Sequence, residues 1–270
     1  MRYWKGSIAL SPKQDYPLLR QVLHSGFITH NQLFEFLRLD YCVTSRNAFN
    51  NRVLRLLKHG LLTRREQPSV NRDAVYSLSE AGALELAGSG EQFVHSTQTG
   101  SARLPSFLHH SLELNEIHLA LKRTGSLVYW MPETEIRSRN DLTSQGYSKY
   151  YDAVVVVRLR QRDCKFALEY ERTPKAARHY FDIRQRIEQE VSVAHFLYLV
   201  PNYDLLWFVA DRLSECKREV FVGLLREFLQ QTLMLPVRRT GSPVSMTLAS
   251  VLTQGKEAQR TGSLFPGIAV

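Results

Sequence analysis

Three acids and a lysine offer the clearest chemistry in this chain. Asp152 opens the run "YDAVVVV", Glu169 and Glu171 sit two apart in "FALEYERTPK", and Lys175 ends that stretch. In a strand, residues two apart share a face. Glu169 and Glu171 therefore point one way, and Phe166, Leu168 and Tyr170 the other. A hairpin through Arg160–Asp163 brings Asp152 towards Glu169. Two such carboxylates, Asp152 and Glu169, can hold Mg²⁺ with its water shell and leave positions for phosphate oxygens and an attacking water. An ammonium is needed to steady the developing phosphoryl charge. Lys175, with Arg178 beyond it, can reach back from the following helix. Glu171, a third carboxylate on the same face, cannot supply that positive charge. Lys165 shares the face by spacing but lies about 13 Å away along an ideal strand. The competing reading is an ion-pair network of Glu169, Glu171, Arg172 and Arg178 at a sheet edge, which says little about activity. A carboxylate in place of a cation beside Glu169 favours a degenerate or structural site over an active one.

The second constellation is basic. In "TSRNAFNNRVLRLLKHGLL" the stripe Ala48, Phe49, Val53, Leu56 and Leu57 has helical spacing. The opposite face carries Arg46, Asn47, Asn50, Asn51, Arg55 and Lys58. Arginine and asparagine on one helix face can make bidentate bonds to guanine and adenine edges in a major groove. Two helices precede it. One carries Tyr16, Leu18, Leu19 and Val22 and stops at Gly26; the other carries Leu33, Phe34, Phe36 and Leu37, with Thr29 or Asn31 at its cap. Leu61–Arg64 and Ala74–Leu78 read as strands of a hairpin whose turn spans residues 67–73, and Ser79 caps a short helix. Arg64, Arg65 and Arg72 on that hairpin are placed for phosphates or a minor groove.

Three helices and a hairpin predict a winged helix-turn-helix over residues 1–87. Residues 88–107, rich in Gly, Ser and Thr, read as a linker. Residues 108–236 read as a second α/β domain. It starts with the amphipathic helix "LHHSLELNEIHLALKR" and continues with strands at "SLVYWMP", "YYDAVVVVRLR", "DCKFALEYER", "HFLYLVP" and "LLWFVA". Thr173 and Pro174 are placed to start a helix, and residues 211–234 read as a last long one. His109, His110 and His118 lack a carboxylate or cysteine at metal-ligand spacing, so a hydrogen-bonded His110–Asn115 pair is expected instead of a metal site. Residues 237–270 read as a flexible tail.

With 270 residues and 44% hydrophobic content, the chain can bury a full core. Its net charge of +9 and pI near 9.6 suit an anionic partner such as double-stranded DNA. Cys42, Cys164 and Cys216 form no CxxC pair, no apolar run reaches membrane-spanning length, and "MRYWKGSIALSPKQ" lacks a secretory core. A cytoplasmic protein is expected, with no membrane partner.

The phrase "LLKHGLLTRR…VYSLSEAGALEL" is similar to the wings of bacterial winged-helix proteins. The later order of helix, strands, helix and strand resembles the restriction-endonuclease-like core. PD-(D/E)XK nucleases of that fold place an acid on one strand and acid-x-lysine on the next; here Tyr151 stands at the proline position and Glu171 at the lysine position. The whole resembles the replication-relaxation family of mobile-element proteins, through the H-x-L-x-x-N core (His110, Leu112, Asn115) and "YDAVVVV…FALEYERTP". That resemblance covers residues 14–210. It implies a DNA-binding protein of a bacterial mobile element or plasmid, acting in replication, mobilisation or transposition beside other element-encoded proteins. Alternatives are an active Mg²⁺-dependent endonuclease and a winged-helix transcriptional regulator whose second domain forms a homodimer.

Overall fold

Caps and glycine stops define the first helices. The computed structural model describes residues 8–43, 45–65, 73–90, 104–143, 146–242 and 244–254. The order is α1 (Asp15–Ser25), β1 (Ile28–Thr29), α2 (His30–Leu39), α3 (Arg46–Lys58), β2 (Leu62–Arg65), β3 (Val75–Leu78) and α4 (Glu80–Gly88). Thr29 and Gln32 form a reciprocal capping box on α2, Ser45 caps α3, and Ser79 caps α4. Gly26 and Gly60, at φ 68° and 69°, turn the chain out of α1 and α3 in a conformation that disfavours other residues. The strands form an antiparallel sheet ordered β1-β3-β2. Leu18, Val22, Leu33, Phe36, Phe49 and Leu56 interlock beneath it.

The second unit comprises α5 (Leu104–Arg123), β4 (Leu127–Pro132), α6 (Glu133–Leu142), β5 (Ala153–Leu159), β6 (Arg162–Tyr170), α7 (Ala177–Gln189), β7 (His195–Val200), α8 (Tyr203–Arg212), β8 (Glu219–Leu224), α9 (Leu225–Gln231), β9 (Pro236–Arg239), β10 (Ser245–Thr247) and α10 (Leu248–Gln254). Seven strands make one mixed sheet, ordered β10-β9-β8-β7-β6-β5-β4. β6, β7 and β8 run parallel, and the other neighbours antiparallel. The crossovers α7 and α8 cover one face, with Tyr180, Ile183, Ile187 and Val209 in its core. Ile117 and Leu121 of α5, Phe228 of α9 and Leu252 of α10 pack on the other.

Several elements differ from the sequence expectation. "LLWFVA" belongs to helix α8, which Asn202 caps by accepting from the Leu205 N–H at 2.9 Å. Inside the stretch read as one long helix runs β8, buried from Val220 to Leu224. Thr173 and Pro174 lie in a connection, and α7 begins later, after Ala176. Residues 236–254 are not a loose tail: β9, β10 and α10 close the sheet and bury Val237, Leu248 and Val251. Residues 91–103 of the expected linker and 255–270 of the expected tail lie outside the described residues. Among the described residues no helix is long and apolar enough to cross a membrane.

Helix α5 packs against both units. The Gln32 Nε2 of α2 donates to the Leu112 carbonyl (2.9 Å) and to Glu116 Oε1 (2.7 Å), and Asn115 Nδ2 donates to the Phe27 carbonyl (2.8 Å). Asn115 therefore ties α5 to the first unit and does not pair with His110 as expected.

Candidate functional site

At the end of β6 a buried set of charges gathers. The pairing of Ala153 with Leu168 places Asp152 beside the Glu169–Tyr170 step. Asp152 Oδ2 accepts the Tyr170 backbone N–H at 2.6 Å, and Oδ1 meets His110 Nε2 of α5 at 3.1 Å. Strand alternation turns Phe166, Leu168 and Tyr170 towards the α5 face, as the sequence predicts. Glu169 and Glu171 are both buried. Glu169 Oε1 is paired with the Lys149 ammonium, and Glu171 Oε2 with that of Lys175. Three acids thus face three basic groups: His110, Lys149 and Lys175.

The environment shifts these groups in different directions. Burial pushes the Glu169 carboxyl up to about 7; Lys149 works against that rise and Asp152 adds to it. Burial also raises Glu171, with Lys175 opposing. Asp152 loses hydration too, but His110 and the Tyr170 N–H outweigh that loss and hold its carboxyl below the usual range. Burial works against the His110 imidazolium, yet Asp152 prevails and its pKa rises. The cluster contains both a carboxyl that titrates near neutrality and a fixed carboxylate. Such a separation suits acid–base or cation-binding work, and also suits a purely structural charge cluster.

Lys175, a candidate from its spacing, pairs with Glu171, whereas Lys149, His110 and the residues that place them carry no sequence cue to this cluster. The segment from Tyr147 to Asp152 is pinned at three points. Asn140 exchanges hydrogen bonds with the Tyr147 backbone (2.9 and 2.7 Å), and Glu190 accepts from the Ser148 N–H and hydroxyl (3.0 and 2.9 Å). His110 is the third. Lys149 sits in a polar stretch with no apolar period to mark it, so only the fold shows its partner. Lys165 stays apart, its ammonium 5.3 Å from the centre of the Tyr147 ring. Arg172 pairs with Glu113 at 2.5 Å, outside the expected edge network, and Arg178 is exposed.

Among the described residues no group of three or more His, Cys, Asp or Glu is placed to hold a metal ion. Asp152 and Glu169 offer two carboxylates, a set that suits Mg²⁺ when it retains several waters. A cation there must compete with Lys149 for Glu169.

The basic constellation on α3 is only partly outward. Phe49, Val53 and Leu56 are buried, while Arg46, Asn47, Asn51 and Lys58 are exposed. Arg46 bonds Asn31 and lies 4.5 Å over the Phe34 ring. Asn50 turns to His30 (2.9 Å). Arg55 does not present itself as a base-reading group: with Arg52 it grips the wholly buried Asp15, at 2.5 and 2.8 Å. The N-terminal placement of Asp15 gave no sequence cue to that pairing. On β2, Arg64 is exposed and Arg65 half-buried with its Nε unpartnered. Arg72 lies outside the described residues.

A mixed sheet carrying an acidic and basic cluster is thus joined by α5 to a small helix-and-sheet unit. Residues 19–187, more than half of the chain, match the Replication-relaxation family. The chain belongs to the Replication-relaxation family. No curated protein matches it. Similar solved structures include a probable transcriptional regulator from Pseudomonas aeruginosa, at 26% identity and a TM-score of 0.25, over 38% of this chain and 64% of that one. Restriction endonuclease FokI bound to DNA matches at 11% identity and a TM-score of 0.25, over 83% of this chain. The chain spans 64% and 45% of the lengths of these two proteins.

Proposed function

We propose that this chain is a double-stranded DNA-binding protein of a bacterial mobile element or plasmid, serving its replication, mobilisation or transposition. In this reading the first unit is a winged helix-turn-helix with α3 as its major-groove helix. The second is a restriction-endonuclease-like scaffold.

One observation carries the binding claim. Helix α3 buries Phe49, Val53 and Leu56 and turns Asn47, Asn51 and Lys58 outward, after two helices and beside the β2–β3 hairpin. Amide side chains can read base edges, and lysine supplies the phosphate contact. The net charge of +9 and the family membership agree with it. Fluorescence anisotropy with labelled duplex DNA tests it. The combined variant Asn47→Ala, Asn51→Ala, Lys58→Ala is expected to bind at least about tenfold more weakly, with a shallower salt dependence. Unchanged affinity would remove α3 from the account.

A second reading, a Mg²⁺-dependent endonuclease, is favoured by the place of Asp152 beside Glu169 with two ammonium groups at hand. Asp152 and Glu169 would hold the ion, which would supply charge stabilisation to a phosphodiester oxygen. Lys149 and Lys175 would keep positive charge at the site, and His110 would keep Asp152 oriented. Supercoiled plasmid with Mg²⁺ or Mn²⁺ tests this: nicking should vanish in Asp152→Ala plus Glu169→Ala. Nicking that survives in the double variant places the chemistry elsewhere.

A further inference from the structure

Away from the acidic cluster, a cleft of about 670 Å³ opens where α1 meets β4 and α6. That volume lies within the range of small-molecule sites, which are mostly apolar with a few convergent polar groups. Two members of a column of rings, His118 and Trp130, line it. Phe36, wholly buried, lies 4.7 Å from His118, and His118 lies 4.2 Å from Trp130 with the planes 4° apart. Burial pushes the His118 imidazole well below its usual pKa, with Lys122 and His24 adding to that, so the stack is uncharged near neutral pH. Trp130 is the outer member of the column; it is half-buried and lines the cleft. Arg20 and His24 of α1 and Glu135 of α6 supply polar walls, the Glu135 carboxylate being held by the Tyr129 hydroxyl and by Arg139 at 3.2 Å.

We propose that this cleft binds a nucleobase stacked against the Trp130 end of the column. A flat heterocycle gains dispersion and π-stacking from an aromatic platform in a way that a sugar or flexible chain does not. Polar groups on both walls can meet the base edge and the sugar–phosphate it carries. The base belongs either to a free nucleotide or to an unpaired DNA strand, and the recognition chemistry is the same for both. This inference does not depend on duplex binding by α3: failure of the α3 variants to change DNA affinity would leave it standing.

Tryptophan fluorescence tests it on the full chain. Trp4→Phe and Trp207→Phe leave Trp130 as the one remaining tryptophan of three. The probes are dAMP, single-stranded oligodeoxyadenylate and deoxyribose 5-phosphate. Saturable quenching by a base-bearing probe, and none by the sugar phosphate, is the expected result. Quenching by dAMP alone assigns a free nucleotide, and quenching by the oligonucleotide alone assigns an unpaired strand. Equal quenching by deoxyribose 5-phosphate, or none by either base-bearing probe, overturns the proposal. Calorimetry adds a second readout. In an otherwise unaltered chain, Trp130→Ala should weaken binding of the active probe roughly tenfold, while Trp130→Phe, which keeps a ring, retains most of it. Undiminished binding by a folded Trp130→Ala variant also overturns it.

Discussion

His110 shows how one side chain decides the state of another. Its imidazole meets Asp152 Oδ1 at 3.1 Å, while the other oxygen of that carboxylate accepts the Tyr170 N–H at 2.6 Å. His110→Ala is expected to cost about 2 kcal/mol in urea unfolding, the scale of a hydrogen bond to a charged group. The pair also sets a pH dependence. The folded pKa of His110 lies above 6.5, so its stabilising contribution is complete below 6.5 and lost as pH rises through the folded value. The gap between the wild type and His110→Ala should therefore narrow in alkaline buffer. Glu169 acts over a different window. Its carboxyl is pushed up from 4.5 to about 7, so the folded state holds the proton more tightly than the unfolded chain. That contribution is complete below 4.5 and disappears as pH rises through about 7. Glu169→Gln should flatten this part of the curve of melting temperature against pH. An unchanged curve would show that Glu169 does not titrate there.

Turns and caps govern the elements that carry these residues. The β5–β6 hairpin bends through Arg160 and Gln161 at φ 47° and 66°, and most side chains avoid that region. Asn-Gly suits two successive positive φ values. Arg160→Asn with Gln161→Gly should raise stability by about 1 kcal/mol in denaturant unfolding. Gly82 is constrained by space: a Cβ there would lie 2.2 Å from the Leu61 carbonyl oxygen. Gly82→Ala should cost about 3 kcal/mol or more, because the obstacle is backbone.

Legibility in the sequence follows the same local physics. Helix α2 is readable from a cap residue, Thr29 or Asn31, before the stripe Leu33, Phe34, Phe36 and Leu37, and the structure gives the cap to Thr29. The alternation of Glu169 and Glu171 with Phe166, Leu168 and Tyr170 was equally plain. Helix α8 was missed because "LLWFVA" is a continuous apolar run, in which period alone does not separate a strand from a buried helix. The Asn202 cap and Asp204 in the first turn were the cues to its true type. Strand β8 lies buried on both faces and so shows no alternation. Lys149 and Asp15 could not be found this way, since their partners Glu169 and Arg55 are distant in sequence and met only in the folded chain.

At the scale of the whole molecule, α5 joins the helix-and-sheet unit to the seven-stranded sheet through Gln32, Asn115 and Glu116, and its His110 reaches Asp152. The unit that carries α3 and the acidic cluster of the large sheet are thus both tied to α5. The central claim is that α3 touches duplex DNA, and site-specific photo-cross-linking tests it most directly. A photoreactive residue at Asn51, exposed on α3, should capture labelled duplex DNA; one at Val191, 90% exposed beyond α7, should not. Capture from Val191 with none from Asn51 would contradict the account.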